Sequence, residues 1–297
     1  MLTLLKKCCL CPRNCGINRY ETTGVCGAGD KIKLAFYSIH EWEEPIISGT
    51  NGSGTIFFSH CNLKCIFCQN KKISTDGYGK EIDNDKLIDI MYELQNKGVH
   101  NINLVTPTHY VPQIVLALRN AKSKKLNIPV VYNTSSYENT DTIRLLNGLI
   151  DVYLADLKYY DNNLASNYSK APNYFEVAVK AIDEMYKQVG NPVIKDGILK
   201  KGLIVRVLIL PGHVDDAKKI IEYLWKKYNH NIYISIMNQY TPIKSDYKFE
   251  NLNRRVSDTE YDEVVDFACN LGILNAFIQD GLAASESFIP DFDSSII

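Results

Sequence analysis

The apolar residues follow two alternating patterns from about residue 54 to the end of the chain. Short runs of Val, Ile and Leu without polar alternation predict strands that are buried on both faces, as in a parallel sheet. These runs span residues 54–59, 101–105, 129–133, 152–155, 203–210, 231–236 and 275–279.

Between the strands lie segments with helical periodicity, at 83–97, 112–125, 139–147, 174–189, 214–228 and 257–271. In the first of them Leu87, Ile90 and Leu94 share one face, Asp83 begins the helix and Gly98 ends it. A strand followed by a helix, repeated about six times, predicts an α/β fold with a parallel sheet and right-handed crossovers. Residues 187–202 are predicted to be a loop or hairpin insertion.

Residues 1–50 differ from the rest because they are rich in cysteine and poor in helical pattern. We therefore predict two units, a cysteine-rich N-terminal segment (1–50) and a core domain (51–297). Eight of the nine cysteines lie in the first quarter of the 297 residues. Clustered cysteines in a reducing compartment indicate metal ions or clusters rather than disulfides.

Composition narrows the class of protein. Hydrophobic residues make up 45% and charged residues 23%, the net charge is −1, and no apolar run has the length of a membrane span. The N-terminus is too short for a signal peptide before the cysteines begin. We expect a cytoplasmic protein with no membrane partner, and a nucleic acid partner is not expected because no basic footprint is present.

Three cysteines follow the first predicted strand at the spacing C-x3-C-x2-C, namely Cys61, Cys65 and Cys68. The carboxyl ends of strands are where (β/α) architectures place active sites. Three thiolates hold three irons of a cubane, and iron–sulfur clusters ordinarily take four cysteines. The missing fourth ligand predicts that one iron has a free coordination position, which indicates a catalytic rather than a structural cluster. The alternative is a structural zinc site with a distant fourth ligand, although such sites favour paired C-x2-C spacings.

This triplet, with Phe67 before its last cysteine, resembles the signature of the radical S-adenosylmethionine (SAM) superfamily. The wider sequence, residues 40–45 (HEWEEP), 47–49, 52–55 and 68–70, resembles the pyruvate formate-lyase activating enzyme branch, in particular its PflX-type proteins. The resemblance implies a partial (β/α)6 TIM-type barrel with a [4Fe–4S] cluster and SAM as cofactors. It implies an oxygen-sensitive oxidoreductase that cleaves SAM to a 5′-deoxyadenosyl radical, which abstracts hydrogen from a substrate. It also implies an electron donor such as flavodoxin or ferredoxin.

Candidate SAM-binding residues stand at the ends of successive predicted strands. Phe67 is expected near the adenine. Thr106 and Thr108 stand where many relatives carry a Gly-Gly-Glu motif for the amino group. Asn133 and Ser135 resemble an Asp-Thr-Asn stretch of the activating enzymes, and Asp156 with Lys158 matches their Asp-x-Lys motif. The remaining candidates are Arg206, inside an apolar strand, His213 for the ribose, and Gln239 at the barrel mouth.

Three of these assignments have simpler alternatives. Asp156 and Lys158 could form a local ion pair at a strand end. His213 could be a solvated loop residue. Glu43 and Glu44, beside Trp42, could contact substrate or form a charged hairpin in which Pro45 ends a strand.

A second set of cysteines, Cys8, Cys11, Cys15 and Cys26, offers four thiolates with no open position. A full shell predicts a structural site that holds either zinc or a second Fe–S cluster. Cys9 is the spare thiol, with an exchange of Cys9 for Cys8 as the open alternative, and Cys269 is expected to be a small buried residue in a helix.

Two substrate classes follow for a radical enzyme. One is a glycyl residue of a partner enzyme, as for an activase, and the other is a small molecule, a peptide or RNA. Activating enzymes often carry extra ferredoxin-type cysteine motifs after the cluster motif, whereas here the extra cysteines are N-terminal, so the chain departs from that pattern. The alternative of another class is a non-catalytic Fe–S electron carrier, which would have four protein ligands for its cluster.

Overall fold

The computed structural model describes residues 1–243 and 248–279. In these residues ten strands form one sheet. They are β1 Ile32–His40, β2 Ser53–Phe58, β3 Lys80–Ile82, β4 Ile102–Val105, β5 Val130–Thr134, β6 Val152–Asp156, β7 Val193–Lys195, β8 Ile198–Leu208, β9 Tyr233–Met237 and β10 Ala276–Ile278.

The helices lie where the 3.6-residue periodicity predicts them, with additional short ones. They are α1 Pro45–Ser48, α2 Lys71–Ser74, α3 Asn84–Asn96, α4 Val111–Lys124, α5 Thr140–Arg144, α6 Asn162–Ser169, α7 Tyr174–Val189, α8 Val214–Tyr228 and α9 Asp258–Asn270. Asp83 caps α3 by accepting a hydrogen bond from the Lys86 amide, and Ser257 with Glu260 forms a capping box at α9. The α9 residue Cys269 is exposed, so the expectation of a buried side chain is wrong.

Seven strands run parallel in the order β2-β4-β5-β6-β8-β9-β10, and helices cover their outer face. The two edges of the sheet, β10 and β3, do not pair with each other. The fold is therefore the predicted α/β partial barrel, open on one side. The segment at 187–202 contains β7, which forms a hairpin with β8, as one of the two predicted alternatives.

The strand β1 was not predicted from the sequence. It pairs antiparallel to β2, so that His40 faces Ser53 and Leu34 faces Phe58. The predicted boundary at residue 50 thus falls between two paired strands of one sheet. Because the pairing is antiparallel, β1 ends at the amino-terminal end of β2, which is the opposite end from the cysteine triplet.

From there the chain crosses the inside of the barrel. Residues 41–49, called the barrel floor below, include α1, and Ile47 is completely buried. Ile47 packs against a cluster formed by Val131, Val152, Leu154, Leu199 and Ile204. Tyr132 and Tyr153 alternate with these residues along β5 and β6 and belong instead to the outer core with the helices. The amide of Asn101 donates to the Ile47 carbonyl at 2.8 Å. The floor therefore closes the lower end of the barrel.

Candidate active site

A cavity of about 910 Å³ lies above the barrel floor, at the carboxyl ends of the parallel strands. Its size is within the range of ligand sites, roughly 300–1,000 Å³. The wall combines the cysteine triplet, strand-end residues of β4, β5, β6, β8 and β9, and residues 40–45 of the preceding segment. Residues far apart in sequence therefore meet around one space.

Cys61, Cys65 and Cys68 all line this cavity. Each sulfur has a polar neighbour. The Leu63 amide donates to Cys61 Sγ at 3.4 Å, Ser169 Oγ donates to Cys65 Sγ at 2.9 Å, and Ser74 Oγ is 3.2 Å from Cys68 Sγ. Such donors stabilise thiolates and, in Fe–S proteins, shift the reduction potential of the cluster.

Burial makes two of these thiols, Cys61 and Cys65, poor acids when no metal is bound. Burial, with the neighbouring Cys65, raises the pKa of Cys61 to about 12. Burial likewise raises the pKa of Cys65 to about 11, although Lys158 opposes the shift. A buried thiolate group needs a strong positive partner, and iron would supply it. The three residues fit the open-sided cluster that the sequence indicates.

An ion network crosses the cavity beside the triplet. Arg206 Nε donates to Asp156 Oδ1 at 2.7 Å and Arg206 Nη2 to Asn133 Oδ1 at 2.7 Å. Lys158 Nζ donates to the other oxygen of Asp156 at 2.6 Å. Burial alone would raise the pKa of Asp156, but Arg206 and Lys158 outweigh it and hold the pKa below the ordinary value. The Asp156–Lys158 ion pair, which was the simpler alternative to a SAM contact, is present, and it belongs to a larger network in the cavity wall.

The barrel floor adds two carboxyl groups to this network. Arg206 Nη1 lies 3.4 Å from Glu43 Oε2, and Asn103 donates to Glu43 Oε1 at 3.0 Å. Glu44 is 8% exposed, and its Oε2 is buried without a hydrogen-bond partner. Burial raises the pKa of both glutamates, against the pull of Arg206. Glu44 is also the N-cap residue of α1 and Pro45 its first residue, so HEWEEP is not the charged hairpin of the alternative.

Most of the predicted SAM-binding residues meet at the cavity. Its wall includes Thr106, Asn133, Ser135, Asp156, Lys158, Arg206 and Gln239. Thr106 has a φ of 58°, an uncommon value for a β-branched residue, which marks a sharp turn at the end of β4.

Three predicted residues do not face the cavity. Phe67 is 7% exposed and packs in the core with its ring 5.7 Å from that of Tyr240. Thr108 is buried and donates to Glu138 Oε1 at 2.6 Å. The His213 ring lies 2.9 Å from the Tyr168 hydroxyl, beside a separate acidic surface depression. The structure therefore places none of the three in the wall where their predicted contacts with SAM require them.

Two polar residues near the site were missed from the sequence. Ser235, on β9, lines the cavity but lies inside an apolar run. Glu138 is 1% exposed, and its Oε1 accepts hydrogen bonds from Thr108, Tyr132 and Thr134. Burial raises the Glu138 pKa to about 7, against these three hydroxyls. Its position just after β5 was the available signal, because Asn133 and Ser135 were predicted as site residues at the end of the same strand.

The N-terminal cysteines gather around a second, small cavity. Cys8, Cys11, Cys15 and Cys26 all line it. Burial raises the pKa of Cys11 to about 12 and raises that of Cys26 as well. Cys9 is exposed and is not part of this lining. Within residues 1–243 and 248–279, no three potential metal ligands already stand close enough to hold a single ion.

Comparison with known proteins decides the family. Residues 55–224, more than half of the chain, match the Radical SAM superfamily. The chain belongs to the radical SAM superfamily. Members of this family use a [4Fe–4S] cluster and SAM, and these are therefore the cofactors of this radical SAM protein.

Relatives of this radical SAM protein add detail. An uncharacterized protein of Methanocaldococcus jannaschii is 31% identical over 277 residues, which is 89% of this chain and 75% of that protein. Streptococcus suis SuiB bound to S-adenosylmethionine has a TM-score of 0.52 and 14% identity, over 76% of this chain and 50% of SuiB. A domain of pyruvate-formate lyase-activating enzyme from Bacteroides vulgatus has a TM-score of 0.42 and 15% identity, over 58% and 92% of the two chains. That last overlap supports no conclusion about the branch.

No helix of this radical SAM protein, within the part of the chain that the structure describes, is long and apolar enough to cross a bilayer.

Proposed function

We propose that this protein is a radical SAM enzyme that acts on a peptide or protein, with its [4Fe–4S] cluster held by Cys61, Cys65 and Cys68. One observation carries the proposal. The three thiols line the same cavity as a buried ion network that can bind the charged end of SAM. An electron carrier would need a fourth protein ligand and no such cavity.

Each part of the cavity has a role in this proposal. Cys61, Cys65 and Cys68 would hold the cluster, which would supply the electron for cleavage of the SAM sulfonium and so the radical that takes hydrogen from the substrate. Ser169, Ser74 and the Leu63 amide hold the thiolates in place. Asp156 is positioned to accept from an ammonium group.

The cationic side of the network completes the SAM site. Arg206 and Lys158 are positioned to donate to a carboxylate. Asn133, Ser135 and Gln239 offer polar groups to the ribose and adenine. The buried residues of the floor, Glu44, Ile47 and Ser48, keep water from the lower end of the barrel, which protects a reactive radical from side reactions.

A peptide or protein substrate is supported by two observations. Streptococcus suis SuiB has also been solved bound to its precursor peptide SuiA, and that structure overlaps this chain with a TM-score of 0.50 and 14% identity. Trp42 lines the cavity while 60% exposed, so an aromatic surface is accessible there to an incoming chain. A glycyl residue of a partner enzyme belongs to this class. In the same proposal the protein works in the cytoplasm and takes electrons from a flavodoxin or ferredoxin.

The test is the formation of 5′-deoxyadenosine from SAM after anaerobic reconstitution with iron and sulfide and chemical reduction. We expect the unaltered protein to form it, and Cys61→Ala, Cys65→Ala and Cys68→Ala each to lose it while the fold survives. Cys269→Ala is the matched control, because that thiol is exposed on α9. Cleavage retained in two of the three triplet variants would contradict the ligand assignment. A reduced cluster that does not bind SAM would favour the electron carrier.

The substrate class needs a separate measurement. Candidate peptides carrying deuterium at the α-carbon are added to the same assay. Transfer of deuterium into 5′-deoxyadenosine identifies the peptide as the hydrogen donor. Transfer only from small molecules or RNA would refute the peptide proposal and leave SAM cleavage intact.

A further inference from the structure

The small cavity of the N-terminal segment, called the cysteine cavity below, has a fifth potential ligand that does not belong to that segment. His109, which follows β4, lines it together with the four cysteines. Cys8, Cys11 and Cys26 are 7–9% exposed, whereas Cys15 is only partly buried. The cavity volume is about 10 Å³, close to that of one water-sized sphere.

The hydrogen bonding of His109 determines which of its nitrogens is free. Its Nε2 lies 2.8 Å from the carbonyl oxygen of Ser59. A carbonyl only accepts, so Nε2 carries the proton, and Nδ1 of the neutral ring is left with a lone pair. The side chain is 2% exposed, and Nδ1 is buried without a hydrogen-bond partner. An unsatisfied buried acceptor is costly, and such groups usually have a functional reason.

This arrangement is the one found in metal-binding histidines. A histidine ligand almost always donates its second ring N–H to a carboxylate or a backbone carbonyl, which fixes the tautomer and the ring orientation. His109 is further fixed by Arg19, which donates to the His109 carbonyl and to the Gly29 carbonyl. The ring is therefore held in place before any metal binds.

The positive charge at the cysteine cavity also favours bound metal thiolates. Arg19 and Arg13 both line it, Arg19 is 2% exposed, and Arg13 Nη2 is buried without a partner. Among the described residues, neither guanidinium forms an ion pair with a carboxylate. A group of metal-bound thiolates is anionic and would supply the missing counter-charge.

We propose that Cys8, Cys11, Cys26 and Nδ1 of His109 bind one Zn²⁺ ion. Three thiolates and one imidazole form an established tetrahedral zinc shell. A cavity of about 10 Å³ suits one ion, whereas a cubane of eight atoms would require its walls to move apart. The ligands are not yet at single-ion distances, so binding draws them together and contributes to folding. Cys15, the least buried of the four thiols, is not a ligand in this arrangement.

The zinc site would also position the catalytic triplet. Ser59, which accepts from His109, stands two residues before Cys61. Arg13, between Cys11 and Cys15, donates through Nε to the carbonyl of Asn62 at 2.9 Å. The metal would thus link the N-terminal segment, through His109, to Ser59, in addition to the direct hydrogen bond from Arg13 to the loop that carries the triplet. This proposal does not depend on SAM cleavage.

The test uses the full chain with Cys61, Cys65 and Cys68 all changed to Ala, so that the triplet contributes no metal. We expect one zinc per chain and no iron. X-ray absorption at the zinc edge should show three sulfurs at about 2.3 Å and one nitrogen at about 2.0 Å. This measurement needs no change at His109. A shell of four sulfurs, or iron with sulfide in place of zinc, would overturn the proposal.

Variants in the same background show whether His109 or Cys15 is the fourth zinc ligand. His109→Gln and Cys11→Ser should each weaken zinc binding at least about tenfold in competition with a chelator. Cys15→Ser, the matched control, should bind zinc as the parent does. Equal losses for Cys15→Ser and Cys11→Ser, with His109→Gln unaffected, would establish a four-cysteine site instead.

Discussion

Arg206 is the residue on which the cavity network depends most. Its guanidinium contacts Asp156, Asn133 and Glu43, and its side chain is 14% exposed. The variant Arg206→Met keeps a long apolar side chain but removes the positive charge and all three contacts. Lys158 is then the one cation of the network left to face Asp156 and the carboxyl groups of the floor.

The expected cost follows from burial. Removing one partner of a buried ion pair leaves an uncompensated charge, and this typically costs about 3–5 kcal/mol of unfolding free energy. The cost should be largest near pH 7. Arg206 helps to hold the pKa of Asp156 below its ordinary 3.8, so its contribution is present above that pH and is lost as pH falls through the lowered pKa. The difference between Arg206→Met and the parent should therefore shrink in acid.

The assay is urea unfolding followed by circular dichroism, at pH 7 and in acid, with both proteins in the same metal-loaded state. The control is Lys226→Met, since Lys226 pairs with Glu222 at the surface, where the side chains are 70% and 42% exposed. That variant should lose less than about 1 kcal/mol. If Arg206→Met loses no more than the control, the network does not stabilise the fold and the reasoning is refuted.

Three further predictions concern single residues. Burial raises the pKa of Glu138 from 4.5 to about 7, so the folded state keeps a proton that the unfolded state releases between these values. The free energy of unfolding should therefore fall by about 3 kcal/mol as pH rises through that window. Urea midpoints measured at pH 5 and pH 8 should show this fall for the parent and not for Glu138→Gln. An equal fall in the variant would contradict the prediction. Ile47→Ala should lower the free energy of unfolding by about 2–5 kcal/mol, because it leaves a cavity in the barrel floor. The control Ile39→Ala, at a side chain that is 40% exposed, should lower it by about 0.5 kcal/mol or less. Equal losses for the two variants would disprove a packed floor. Lys158→Met should weaken SAM binding about tenfold or more in equilibrium dialysis, because a hydrogen bond to a charged group contributes about 1.5–3 kcal/mol. Lys122→Met, which breaks the 2.7 Å ion pair with Asp151 outside the cavity wall, is its control, and equal dissociation constants for the two would refute the role.

Several polar residues of the cavity wall could be predicted from the sequence, but the directions of all the candidate side chains could not. Asn133, Ser135, Asp156, Lys158 and Arg206 were predicted as polar residues at the ends of, or inside, buried strands, and all line one cavity. This works because parallel strands end at the same edge of the sheet, so their position along the strand implies nearness in space. The direction of a side chain in a connecting loop follows no such rule, which is why Phe67 and Thr108 face away from the cavity.

The sequence by itself determined the fold class and the triplet. Apolar runs buried on both faces and helices of regular period leave few alternatives to a parallel α/β sheet. Three thiols within eight residues lie close together in space in any fold of the chain. The tertiary structure alone decided what depends on contacts between distant segments. Glu43 meets Arg206 across 163 residues, and His109 enters a cavity built by cysteines about 90 residues away. Periodicity shows that a strand is buried on both faces, but it does not distinguish the inside of the barrel from the outside. Only closure of the sheet around residues 41–49 made that distinction, because burying Ile47 and pairing Glu43 require the inner face.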